Sequence, residues 1–341
     1  MIAKKSNKFN SYQYVGAIHI HSAFSDGTGD IDSISRTAKK AGLDWIIITD
    51  HNSLDIEEGF YNGVCVIKGE EISPKDANHY LSFGINKFIS PTVPSKYMEE
   101  VREQGGFGFA AHPDEGTNRK NSYPPIRWLD KNLKPDGVEI WNWFSQWGDN
   151  FNDKNIFTLA YSYLFKNRLV TEPNKETMSW WDSLNNQETQ IIPAIGGVDA
   201  HALIIKDYLI PIKIFPYETM FKTINNVLTF EKPLSENFKT RKEEILNAIK
   251  SGNNLIINRN VDKNIPEIDF VGGSSHKLRE ELYMNIKTKK KSSIKVFHNG
   301  KELCSKIANQ CNLLLKEVGK YRVEIKIGNR GFAYTNPILV Y

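Results

Sequence analysis

Cysteine is scarce in this chain. Its 341 residues include three, Cys65, Cys304 and Cys311, too few and too irregularly spaced for a disulfide framework or a thiolate zinc site. No apolar run approaches the roughly 18 residues that a membrane-spanning helix needs. The charged start MIAKKSNKFNSYQ is followed by no apolar segment of the kind a secretory signal carries. These absences point to the cytoplasm and away from any membrane partner. One-sided charge is missing too. A formal net charge of +4, without a dominant basic stripe, permits an anionic small molecule, and nucleic acid is not expected as a partner. The run Lys287, Lys289, Lys290, Lys291 reads as a solvated hairpin tip. Repeats and low-complexity tracts are absent, and no pattern signals an oligomeric state.

What is present is an ordinary globular composition, 40% hydrophobic and 25% charged, in a length that suits one large α/β unit plus a small second one. Apolar runs of strand length fall at 15–20, 43–49, 64–68, 80–85, 107–111, 137–141 and 191–195. Helical patterns lie between some of them, such as Ile31, Ile34, Ala38 and Ala41 closed by Gly42. This alternation predicts a mainly parallel sheet, open or closed into a barrel. A polar, Trp-bearing stretch from 142 to 190 reads as a helical excursion able to wall a site at the sheet's end. After a last helix ending near Gly252, short alternating runs and the turn pair Asn299-Gly300 predict a small all-β, sandwich-like unit. The expected division is 1–254 and 255–341.

Six of the eight histidines gather, with carboxylates, at the ends of these runs. His19 and His21 sit two apart in an alternating run, a spacing that puts both on one face of a strand. Asp26 follows in a Ser-Asp-Gly turn. Asp50 and His51 end the second run, and Glu71 sits just after the third. His79 begins a run instead of ending it, His112 closes Phe-Ala-Ala-His-Pro, and Asp199 and His201 close IIPAIGGVDAH. Unrelated structural histidines have no reason to collect on one rim, and that rim is where (β/α) barrels build their active sites. Imidazole with carboxylate and no thiolate suits Zn, Mn or Fe. His276 and His298, farther on, read as incidental surface residues.

His-x-His, Ser-Asp-Gly, Thr-Asp-His-Asn, Gly-x-Glu-Ile-Ser, His-Pro and the final Asp-x-His, in that order, resemble the polymerase-and-histidinol-phosphatase (PHP) superfamily over about 14–252. The resemblance implies a distorted (β/α)7 barrel holding two or three divalent transition metals. It further implies that His19, His21, Glu71 and Asp199 hold one metal. Glu71 would bridge to a second, also held by His79 and His112, and Asp26, His51 and His201 would hold a third. Asp50 would orient a neighbouring imidazole, and Glu139 matches a recurring position of structural or supporting role. The C-terminal third resembles, over a short match, the two-domain branch grouped with carbamate-ester hydrolases (CehA/McbA-like).

These readings lead to a metal-dependent hydrolase of a small-molecule phosphate mono- or diester, acting through attack by a metal-bridging hydroxide. Developing charge on phosphoryl oxygens gains most from several fixed cations. Arg119 and Lys120, shortly after His112, are candidates for contacting the substrate anion. One alternative is a carbamate or carboxylic ester hydrolase on the same site. A second is a non-catalytic metal-binding protein.

Overall fold

Each of the seven apolar runs in the first two thirds contains a strand, with ends shifted by a few residues. The computed structural model describes residues 4–5, 11–116, 126–151, 156–205, 212–213, 215–270 and 272–341. The strands are β1 Tyr12–Ala17, β2 Trp45–His51, β3 Val64–Ile72, β4 Tyr80–Phe83, β5 Phe107–Ala110, β6 Gly137–Asn142 and β7 Ala194–Gly197. They pair in chain order. The β1/β2, β2/β3, β5/β6 and β6/β7 ladders are parallel. β4 runs antiparallel to both of its neighbours, so the sheet is mixed, not mainly parallel throughout.

An eighth strand, β8 Ile224–Phe230, lies antiparallel to β1. Its sequence, INNVLTF, has two asparagines inside the apolar run, which hide it from a hydrophobic pattern. β7 and β8 stand side by side, yet no backbone ladder joins them. The expected closed (β/α)7 barrel is therefore not formed by strand pairing. Asparagine amides take the place of the missing ladder. Gly196 N donates to Asn226 Oδ1 at 3.0 Å, and Asn226 Nδ2 donates back to Gly196 O at 2.6 Å. Ala194 N donates to Asn336 Oδ1 at 2.6 Å, and both Asn336 and Asn254 donate to Ala194 O at 3.0 Å. All three asparagines are buried, so each amide meets backbone groups that water cannot reach.

Helices cover the sheet where their apolar stripes demand it. α1 Ile31–Lys40 is capped by Asp30, whose side chain accepts from Ser33 N, and buries Ile34 and Ala38. α2 Pro94–Glu103 buries Tyr97, Met98 and Val101. The 142–190 stretch is helical as expected: α3 Trp143–Asn150, α4 Ile156–Leu164, α5 Lys166–Leu169 and α6 Lys175–Gln187. Trp143 and Trp181 are fully buried. α7 Tyr217–Phe221 precedes β8, and α8 Phe238–Ser251 ends at Gly252, whose φ of +82° suits a glycine cap.

Beyond 254 the chain is strand-rich. β9 Leu255–Asn258 pairs with β8 on one side and with strand Arg330–Thr335 on the other, so hydrogen bonding runs on across that point. Asn299 and Gly300, at φ +47° and +74°, turn the hairpin between Tyr283–His298 and Lys301–Leu314. The lysine run is not a hairpin tip. It lies within Tyr283–His298, where the register shifts between Lys287 and Ser292 and turns Lys289, Lys290 and Lys291 to solvent.

Candidate metal centre

Six of the eight strands, β1 to β5 and β7, or the segments just beyond them, deliver side chains to one rim. His51 ends β2 and Glu71 lies near the end of β3, while His112, Asp199 and His201 lie just past the ends of β5 and β7. His79 precedes β4, and because β4 runs antiparallel its beginning stands at the same rim. The position that looked anomalous in the sequence is thus explained by strand direction. β1 departs from expectation. It stops at Ala17, and His19 holds φ +68°, so the two histidines converge through a left-handed kink and not through strand pleating. His112 (φ +26°) and Asp199 (φ +53°) are left-handed as well. For residues other than glycine this conformation is costly and collects at functional sites.

Glu71, fully buried, is the hub. Its Oε1 lies 2.8 Å from His79 Nδ1 and 3.0 Å from His112 Nε2. Its Oε2 lies 3.2 Å from His19 Nε2, 3.3 Å from His21 Nε2 and 3.1 Å from His51 Nδ1. Asp199 Oδ1 stands 3.5 Å from His19 Nε2 and 3.3 Å from His21 Nε2. Asp26 Oδ1 is 3.2 Å from His201 Nε2, 3.7 Å from His51 Nε2 and 3.8 Å from His21 Nδ1. All nine side chains expected from the sequence come together. They form interlocking groups: His21, Asp26, His51, His201; His19, His112, Asp199; His19, His21, Glu71; and His51, Glu71, His79. The Asp26 side chain is 54% exposed, which makes its end of the cluster the open one.

Outer hydrogen bonds fix which nitrogen turns inward. His19 Nδ1 donates to Glu139 Oε1 at 2.8 Å, His79 Nε2 to Pro74 O at 3.1 Å, and His201 Nδ1 to Asp199 O at 3.0 Å. The remaining nitrogen of each ring faces a carboxylate oxygen, so a proton or a metal ion must stand between the two. Lone pair against lone pair is repulsive unless a cation lies between them. His21 sharpens the point, because neither of its buried ring nitrogens has a hydrogen-bond partner. Imidazoles that donate outward to a carboxylate or carbonyl while presenting a bare nitrogen inward are the arrangement metal-binding histidines adopt. The donor set fits divalent cations.

The electrostatics agree. Burial would lower the pKa of His21, but Asp199 and Glu71 raise it to about 9; burial likewise opposes His112, which Glu115 and Glu71 raise to about 9. His51 goes the other way, to about 4, through burial and the nearby imidazoles of His21 and His79. Against the burial that would raise them, the surrounding imidazoles hold Glu71 and Asp199 well below the usual carboxylate range. This pocket attracts positive charge.

The supporting residues differ in part from expectation. Glu139 accepts from His19, from His112 N at 2.6 Å and from Asn142 Nδ2 at 3.1 Å, a positioning role. A Cβ on Gly197 would meet Glu139 Oε1 at 1.7 Å, which is why glycine stands there. Asp50 does not orient an imidazole. Its carboxylate accepts from Ser22 N (2.7 Å), Ser22 Oγ (2.6 Å) and Ser25 Oγ (2.5 Å), clamping the turn that carries Asp26. Glu115, 3.3 Å from His112 Nδ1, was missed; its signal is the three-residue offset from His112. Arg119 and Lys120 lie outside the described residues.

Residues 17–110 match the family model of the PHP domain. An uncharacterized protein of Methanocaldococcus jannaschii, MJ1587, is 31% identical over 152 residues, spanning 37% of this chain and 80% of that protein. The chain belongs to the PHP domain family. Solved structures similar to this PHP chain include a two-domain protein of Bacteroides vulgatus containing a predicted PHP-like metal-dependent phosphoesterase. It is 14% identical, covers 99% of this chain and 98% of its own, and has a TM-score of 0.48. Another is endonuclease Q in complex with a 27-mer duplex carrying an abasic lesion, at 16% identity, 70% and 56% coverage and a TM-score of 0.40. The duplex bound in that structure stands against the expectation that nucleic acid is not a partner. Among the described residues no helix is long and apolar enough to cross a membrane.

Proposed function

We propose that this PHP chain is a metal-dependent phosphoesterase, hydrolysing a phosphate mono- or diester at two or three divalent ions of Zn, Mn or Fe. The observation that carries this reading is the inward convergence of imidazole nitrogens on Glu71 and Asp199, while the outward ring nitrogens of His19, His79 and His201 meet Glu139, Pro74 O and Asp199 O. His19, His21, Glu71 and Asp199 would hold one ion. Glu71 would bridge through its other oxygen to a second, with His79 and His112, and Asp26, His51 and His201 would hold a third. Bound there, divalent cations supply an activated water nucleophile and positive charge for the phosphoryl oxygens. Glu139 keeps His19 in one tautomer, and Asp50 fixes the Ser22–Asp26 turn at the open end, through which an ester enters. Residues 1–254 would form this hydrolase part, and 255–341 a β-rich part with its own buried cluster around Ile294, Val323 and Phe332.

Purified protein is expected to carry at least one transition metal per chain and, with added Mn or Zn, to turn over 4-nitrophenyl or bis(4-nitrophenyl) phosphate. The panel includes an oligonucleotide duplex and an aryl carbamate. Less than one metal per chain, unrestored by addition, sinks every hydrolase reading. Turnover of the carbamate alone replaces phosphorus with carbon as the electrophile.

A further inference from the structure

At the end of the sheet opposite the histidines, a cavity of about 300 Å³ lies where the two parts of the chain meet. Its walls come from β1, from α1 and its link to β2, and from β9 with the segment after it. Asp44 lines it and stands directly before β2, whose far end carries His51. None of the cavity's residues belongs to the histidine cluster. Val15, Ile257 and Ile265 give it apolar surface, while Lys39, Arg259 and Lys263 bring three cations to one carboxylate.

Arg259 is the decisive member. It is half-buried, and its guanidinium donates to Asn225 Oδ1 at 3.3 Å and to Ala41 O at 2.9 Å, both neutral oxygens. Two bonds leave most of its five N–H donors unused. Among the described residues no carboxylate forms an ion pair with Arg259, Lys39 or Lys263. Asp44 is the cavity's own carboxylate, and it accepts from Val15 N at 2.9 Å. Burial raises the Asp44 pKa, and the Val15 bond and the charges of Lys39, Arg241 and Arg259 offset only part of that. A guanidinium partly withdrawn from water and bonded to neutral groups alone is incompletely compensated, and an anion beside it would complete it.

We infer that this cavity is a second binding site, separate from the metal centre, for a small organic anion with a dianionic head and an apolar body. Three cations against one carboxylate leave two positive charges, the balance that such a head meets. The planar fork of Arg259 takes two oxygens of the head, Lys39 and Lys263 add charge, and the body lies on Val15 and Ile257. Arg259 follows β9 directly and already bonds to the end of α1. An anion held there therefore ties the C-terminal strands to the hydrolase part without touching the metals.

Calorimetry with phenylphosphonate at pH 8 tests this. The probe also suits the metal centre, so it is titrated into metal-replete wild type and into Glu71→Gln stripped with a chelator. The stripped variant is expected to keep one binding equivalent, that of the cavity. Adding Arg259→Gln is expected to weaken this equivalent about tenfold or more. Lys263→Gln, a change at an exposed side chain that leaves folding intact, is expected to weaken it about threefold. In metal-replete protein each cavity variant keeps its metal content, measured in parallel. No binding by stripped Glu71→Gln whose circular dichroism is intact, or binding unmoved by both cavity variants, overturns the site whatever the metal centre does. If stripped Glu71→Gln unfolds, the metal-replete wild type is compared with the two cavity variants, and identical binding isotherms overturn the site equally.

Discussion

Glu71 carries more of this site than any histidine, because its two oxygens face two different sets of imidazoles. Glu71→Gln keeps the volume and removes the charge. The variant is expected to hold less than half the wild-type metal, read by elemental analysis, with an unchanged circular dichroism spectrum. Gly197→Ala acts one step farther out, driving a methyl group into Glu139. A destabilisation of about 1–3 kcal/mol in urea unfolding is expected, with metal affinity falling as His19 loses its orientation. Cys65 gives a check independent of metal. Burial pushes its thiol up to about 12 from 9.0. The folded state therefore keeps a proton that the unfolded state loses above about pH 9, and the associated stability is full below that pH and declines as pH climbs toward 12. At pH 8, mass spectrometry should find iodoacetamide on half-buried Cys304 and none on Cys65 until the protein unfolds. At this scale the inward-facing residues were legible, since all but Asp26 sit at or near the edge of an apolar run. Of their outer partners, Glu139 was legible through the family resemblance, and Glu115 carried only its three-residue offset from His112. Pro74 reaches His79 from a loop whose course no local pattern fixes, and Asp50 turns to two serines because the Ser22–Asp26 turn folds back over it.

At the scale of elements, strand identity was readable and strand direction was not. Hydrophobic alternation reports burial, and a strand buried on both faces looks the same whichever way it runs. β4 was found but not its reversal, and His79 looked out of place for that reason alone. β8 was missed because Asn225 and Asn226 interrupt its apolar run, although both are buried. Asn226 bonds to Gly196 in both directions. Asn226→Ala strands those two groups away from water, at roughly 1–3 kcal/mol each. A lower melting temperature is expected, together with weaker metal binding, since Gly196 leads directly to Asp199. A variant that melts as the wild type does would show that water fills the seam.

For the whole molecule, the described helices lie before residue 254 and the longest antiparallel strands after it. The expected division there leaves out the bonds that run across it. β9 pairs across the division. Arg322 grips Asp182 of α6 with two bonds of 2.7 Å, and Lys320 Nζ donates to Asn185 O at 2.7 Å and Glu188 O at 2.9 Å. A chain ended after Asn254 loses these bonds and leaves β8 an open edge. It is expected to be recovered mostly aggregated, its soluble fraction holding less than one metal per chain.

The asparagine seam also sets an order of events in the cell. Ala194 stands five residues before Asp199, and its amide waits for Asn336, 142 residues later in the chain. While the ribosome is still making the C-terminal strands, β7 has its ladder with β6 and its bonds to Asn226 and Asn254 but lacks the two from Asn336. The histidines near the N-terminus emerge early and the last bonds behind Asp199 form late, so a chain carrying Asn336→Ala is expected to bind metal more weakly than the wild type, read by elemental analysis.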